Sequence, residues 1–248
     1  MLLRGFSSLS SIFIRQLIDS VLAYQFRFIA LDLIGYGNSE FSDNPDTDYS
    51  LDGLGKFLVE FSNEVQIKDA VYVGHNIGAN VILQAYEKLI NPKGIVLLGS
   101  APFPNPFDDN VFAENADKKL FSKAGIDDSE VHELSAYFVE EETKYPDFLP
   151  EIIRKADKKT REILFDSFRK GDYNDQIKII QEINVPVAVY YGEFDRIINF
   201  DYLSSIEIPS MWKNNTQIIR DTGQIFFYES PADFNLSFET YLFTVFNK

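Results

Sequence analysis

The chain has 248 residues, 45% hydrophobic and 25% charged, which fits one α/β domain with a modest insertion and a substantial core. A formal net charge of -15 argues against nucleic acid and anionic membranes as partners, and no apolar run is long enough to span a bilayer. Zero cysteines exclude disulfides, thiolate metal sites and a thiol nucleophile, a composition compatible with a cytoplasmic protein, and only His75 and His132 are available as histidines.

The first thirty residues are apolar but lack a basic start and a small-residue cleavage site, so they read as part of the fold rather than as a signal peptide. A β-rich run at 26–31 precedes helical periodicity over 51–65. Strand 70–73, helix 80–89 and strand 94–98 follow. Residues 101–182 break the alternation: Pro102, Pro104 and Pro106 open them, and charged helix-forming segments follow at 129–144, 150–155 and 160–168. A helical cap inserted above the strand ends is the expected arrangement, the plainer alternative being a surface insertion with no role. Strand 185–190, a fifth run at 216–219 and helix 232–246 complete the chain. Short continuous apolar strands separated by helices predict a mostly parallel sheet covered on both faces. The core is then 1–100 together with 183–248, and the cap 101–182.

The most informative stretch is 71–79, where an apolar run ends in Gly74-His75-Asn76-Ile77-Gly78 and a helix-like segment begins at once. A strand, a sharp turn and a helix push the turn residue to the sheet's upper edge, and the glycines let the backbone pack closely through a strained turn. In acyl-transfer enzymes that residue is a serine, and in some alkyl-transfer relatives an aspartate. Asn76 has neither a hydroxyl to activate nor a carboxylate to alkylate.

Four further segments stand in order around this one. They are Leu3-Arg4-Gly5-Phe6, Asp32-Leu-Ile-Gly35-Tyr-Gly37-Asn-Ser39, Gly192-Glu-Phe-Asp195 and Gly223-Gln224…Glu229-Ser-Pro231. Together the five resemble the α/β-hydrolase superfamily over nearly the whole chain, short of that family's N-terminal strand pair. The resemblance implies an α/β-hydrolase fold of the ester and acyl hydrolase type. It puts Asn76 at the nucleophile position, Asp195 at the triad acid, Gln224 at the general base and Arg4 at the histidine of the oxyanion loop. Backbone donors at Phe6 and Ile77 would form the oxyanion hole, and Asp32 would be structural. The elbow pattern is closer to serine than to aspartate relatives.

Gln224 has no nitrogen that titrates near neutral pH, so it cannot shuttle a proton, although Asp195 could still hydrogen-bond its amide. Loss of a triad member removes about three to six orders of magnitude in rate. His132, flanked by carboxylates in the insertion, reads as a solvated helix-face residue rather than a substitute base, and His75 as a packing residue. No metal-ligand spacing and no cofactor motif occur: Gly35 and Gly37 lack a dinucleotide context, and the run 140–142 reads as a solvated helix face. The expected ligand is a small ester or carboxylate, with Phe103, Phe107, Tyr137, Phe226 and Phe227 as either cleft or core aromatics. Lacking the strand pair, the run 26–31 would become a sheet edge open to self-association. Truncation at an internal methionine, burial of the edge in a partner, and decay of an unneeded gene all account for that start. Three readings follow: a catalytically impaired or non-catalytic ligand-binding protein, an inactivated form of an active hydrolase, or an enzyme of another class using His132.

Overall fold

The computed structural model describes residues 2–4, 10–141 and 145–247. Six parallel strands form one sheet: β1 (Leu2–Arg4), β2 (Ala30–Leu31), β3 (Val71–His75), β4 (Gly94–Leu98), β5 (Val187–Gly192) and β6 (Gln217–Ile219). Their order is β2-β1-β3-β4-β5-β6. Every residue of β3, β4 and β5 is buried, as expected of central strands sandwiched between helices. Among the described residues no helix is long and apolar enough to cross a membrane.

The expected run 26–31 is strand only at Ala30–Leu31. Among the described residues it pairs only with β1, Leu2 with Ala30 and Leu3 with Leu31. β3 and β5 instead run further than the periodicity indicated, to His75 and Gly192, because β4 and β6 continue beside them. Helix Leu51–Glu64 starts where Ser50 accepts a hydrogen bond from the Gly53 amide, and it buries Leu51, Leu54 and Leu58 along one face. The short helices Ile14–Leu17 and Ser20–Gln25 were not legible from periodicity. They are held by tertiary contacts: buried Gln16 donates to the carbonyls of Phe227 and the Asn235 side chain, each at 2.8 Å.

Residues between β4 and β5 contain the helices Lys118–Ser122, Asp128–Ala136, Phe148–Lys155, Thr160–Lys170 and Gln176–Glu182. The helix expected over 129–144 stops at Ala136. Arg196 donates to the carbonyls of Ala136 and Val139, so the end of the helix finds its partners in the core rather than in another turn. A buried amide network anchors this segment to the helix Ile77–Ala85. Asn80 donates to the Ala101 carbonyl (2.9 Å) and to Gln176 Oε1 (2.8 Å), and Gln176 donates back to the Asn80 carbonyl (2.9 Å).

Helix and sheet pack backbone to backbone at Gly74. A Cβ built there would sit 2.4 Å from both the Ala79 nitrogen and its Cα, so helix Ile77–Ala85 rests on β3 backbone against backbone. Neither atom can rotate away. Gly74→Ala should therefore lower stability by about 3 kcal/mol or more, at the upper end of overpacking costs, read as a shift of the urea unfolding midpoint.

Candidate active site

Asn76 stands at the junction of β3 and the following helix with φ 51° and ψ -127°, a left-handed conformation costly for a residue with a Cβ. The strain is held by hydrogen bonds on both sides of the turn. The Asn76 amide donates to the Leu98 carbonyl at 2.9 Å, and Ala79 donates to the Asn76 carbonyl at 3.0 Å. The side chain then bends back, and Oδ1 accepts the Ile77 N–H at 2.8 Å. Asn76 thereby caps the helix Ile77–Ala85. The Ile77 amide, expected to face an oxyanion, already has an acceptor in the residue before it. Arg4 ends β1 opposite His75 in the ladder, and Phe6 lies outside the described residues.

Above Asn76 the space is small. A cavity of about 10 Å³ remains, room for about one water, walled by Phe112, Phe121, Leu134, Phe138, Phe165 and Ile197. None of these was singled out by sequence. They come from loop, insertion and core segments whose convergence has no local signature. The aromatics named beforehand lie elsewhere. Phe103 and Phe107 pack on Phe168, with ring centroids at 5.0 and 5.3 Å, and Phe226 and Phe227 are fully buried in the core. Tyr137 stacks beneath the Arg196 guanidinium at 5.8 Å.

Asp195 and Gln224 flank Gly99. A Cβ on Gly99 would meet Gln224 Cγ at 2.8 Å and Asp195 Oδ2 at 3.3 Å, which puts both side chains against the same glycine. Asp195 Oδ1 accepts the amides of Ile197 (2.8 Å) and Ile198 (3.1 Å), while Oδ2 has no hydrogen-bond partner among the described residues. Burial pushes its carboxyl up to about 7; the two amides pull the other way, and the neighbouring Glu229 charge adds to the rise. Gln224 is fully buried. Its Nε2 donates to the Gly99 carbonyl at a long 3.3 Å, and Oε1 has no partner among the described residues. No hydrogen bond joins Asp195 to the Gln224 amide. Glu229, also raised by burial, receives the amides of Gly223 and Glu140, both at 2.9 Å, and so ties the Gln224 turn to the end of the insertion's Asp128–Ala136 segment.

The two histidines stand apart from this cluster's proton chemistry. His75 is buried, its ring edge-on to Phe227 at 5.1 Å. His132 is exposed on the helix Asp128–Ala136, with Nδ1 2.6 Å from Tyr145 Oη, and it does not line the space above Asn76. Among the described residues no three His, Asp or Glu side chains are grouped to hold a metal ion.

A family model described as the alpha/beta hydrolase fold matches residues 1–231. An uncharacterized hydrolase, YugF, of Bacillus subtilis (strain 168) is 30% identical over 203 residues, covering 77% of this chain and 71% of that protein. Among solved structures, the N-acyl homoserine lactonase AidH complexed with N-butanoyl homoserine superposes with a TM-score of 0.93 at 24% identity, over 100% of this chain and 89% of that one. An esterase from Exiguobacterium antarcticum superposes with a TM-score of 0.78 at 17% identity, over 97% of this chain and 90% of that one. A thermophilic esterase from Thermogutta terrifontis gives a TM-score of 0.74 at 18% identity, covering 98% and 89%.

The Asp195 carboxyl, raised from 3.8 to about 7, binds its proton more tightly in the folded chain than in the unfolded one. Its contribution to stability is therefore full below about pH 4 and is lost as pH rises through about 7, a swing on the order of 4 kcal/mol. Asp195→Asn removes that loss, keeps an oxygen for the Ile197 and Ile198 amides, and brings a donor toward Gln224. Thermal unfolding followed by circular dichroism should show the variant more stable than the parent at pH 8 and nearly equal to it at pH 4.5.

Proposed function

The chain belongs to the alpha/beta hydrolase fold family, and from that premise we propose an ester- and acyl-hydrolase type of scaffold whose own catalytic chemistry is impaired. Asn76 is the observation that carries this reading. An amide occupies the turn where the family's nucleophile belongs, and its Oδ1 sits on the Ile77 N–H. Acyl transfer needs a deprotonatable nucleophile, a base within reach of it and free donors for the developing oxyanion. Asn76 offers no proton to remove, and Gln224 cannot accept one. A substrate carbonyl must also displace Asn76 Oδ1 before it can use the Ile77 amide. Asp195 has no imidazole at position 224 to orient.

Retention of a small ester- or carboxylate-like ligand is the second reading, favoured by the apolar ring of Phe112, Phe121 and Phe165 over a polar Asn76 tip. The void as it stands admits no such molecule, so binding in this reading requires those rings to swing outward. The structural relatives named above include a lactonase in complex with N-butanoyl homoserine, which is why an acyl-bearing ligand is the one to try. Self-association belongs to the same proposal: β2 ends the sheet, and the residues leading into it, Phe28 and Ile29, are only half-buried.

Turnover of p-nitrophenyl butyrate tests the impairment. The native chain should stay at the buffer background, and Asn76→Ser/Gln224→His should exceed it by about 10³. Native turnover that disappears in Asp195→Ala would overturn the proposal. A folded but silent double variant would show that more than these two side chains has been lost.

A further inference from the structure

The strain at Asn76 brings its own carboxamide up against the next peptide nitrogen. At ψ -127° the Cβ of an L residue is nearly eclipsed with the following amide nitrogen, because Cβ stands about 120° from the residue's own nitrogen around the Cα–C bond. In a regular helix or strand that nitrogen is turned well away from Cβ, and an asparagine side chain cannot close on it. At Asn76 the closure is half made. The Ile77 N–H donates to Asn76 Oδ1 at 2.8 Å, and Cγ is one carbonyl bond of about 1.2 Å from Oδ1. Cγ therefore lies no more than about 4 Å from the Ile77 nitrogen, and only side-chain rotation separates the two.

We propose that Asn76 is a self-modification site, whose carboxamide cyclises onto the Ile77 nitrogen as a succinimide and then opens with water to aspartate, releasing ammonia. As the Ile77 nitrogen bonds to Cγ, its proton passes to Oδ1 along the existing hydrogen bond. Nδ2 then departs with a proton as ammonia, the Cγ carbonyl re-forms, and a five-membered imide remains. Water adds to Cγ, the bond from Cγ to nitrogen breaks, and the nitrogen recovers its proton. The inference uses the geometry at Asn76 and stands whether or not the chain hydrolyses esters.

Three features of the fold favour this course. The Ile77 nitrogen opens the helix Ile77–Ala85, so no carbonyl of that helix holds its proton. The ψ angle is fixed by the bonds from Asn76 to Leu98 and from Ala79 to Asn76, so the conformational cost of ring closure is met by folding. The void of about 10 Å³ over Asn76 has room for about one water, the second reactant. Attack of that water on the backbone carbonyl would give isoaspartate and insert a methylene into the main chain. The turn has no space for one, since even a Cβ on Gly74 would meet Ala79 at 2.4 Å, and opening at Cγ prevails. The product sets a carboxylate, which can be alkylated, where the amide cannot react.

Mass spectrometry of the full chain, held at mildly alkaline pH in water enriched in oxygen-18, tests the site. Residue 76 should lose ammonia and then take up one labelled oxygen as aspartate, ahead of the helical Asn80, with Asn76→Asp as the reference for the product. Unfolding in guanidinium chloride releases ψ, so conversion at 76 should be about tenfold faster in the native chain than in the unfolded one. Conversion at that position should vanish in Asn76→Gln, whose longer side chain cannot close a five-membered ring. The proposal is overturned if residue 76 stays asparagine in the native chain, if it converts no faster there than in guanidinium chloride, or if isoaspartate is the main product.

Discussion

Backbone contact between β3 and the helix Ile77–Ala85 governs most of what this molecule is. With no Cβ at Gly74, the helix approaches until Ala79 occupies the space a side chain would need. The chain must then reverse within one residue, and Asn76 takes up the reversal at φ 51°. Such strain persists only where the surroundings over-determine it. Here the hydrogen bonds from Asn76 to Leu98 and from Ala79 to Asn76 do so, with β3 and β4 paired along their full lengths. The same helix carries Asn80, whose amide network with Gln176 and Ala101 fixes how the segment after β4 leaves the sheet. Position 76, the walls above it and the course of the insertion all follow from one missing methyl group.

Desolvation shapes the rest of the site. Asp195 and Gln224 lie against Gly99 deep enough that each keeps one oxygen without a partner among the described residues. A buried carboxylate with half its acceptors unused is costly, and the carboxyl responds by holding its proton to about pH 7. At Asn76 the opposite solution appears. The amide oxygen and the Ile77 N–H satisfy one another, which pairs one of the free donors at the helix start. A cavity of about 10 Å³ above it completes a site that is well packed and nearly dry. The far end of the sheet differs: there a larger cavity of about 470 Å³ mixes apolar walls such as Phe28 and Phe238 with the charged Arg27, Lys68 and Asp69.

Much of the fold was legible because its signals are local. The runs at 94–98 and 216–219 and the helices beginning near 51 and 231 fall within a few residues of their places, since burial on both faces or on one stripe writes itself into adjacent residues. The run at 26–31 was misjudged because strand length belongs to the pair and not to the segment. The helix beginning near 128 was drawn too long because Arg196, sixty residues on, supplies the end of it. Motif order named candidate positions 76, 195 and 224, whereas it did not point to the phenylalanines above Asn76, which are drawn from segments up to fifty-three residues apart between Phe112 and Phe165.

The sequence by itself determined the parallel α/β architecture and the strand-to-helix turn at Asn76, because each is a property of residue type and short-range spacing. Only the tertiary structure decided that the Ile77 amide is taken by Asn76, that burial holds the proton on Asp195, and that His132 faces Tyr145 rather than the space above Asn76. Those facts depend on distances between groups far apart in the chain, and on how much water is left around each. Periodicity carries no record of either.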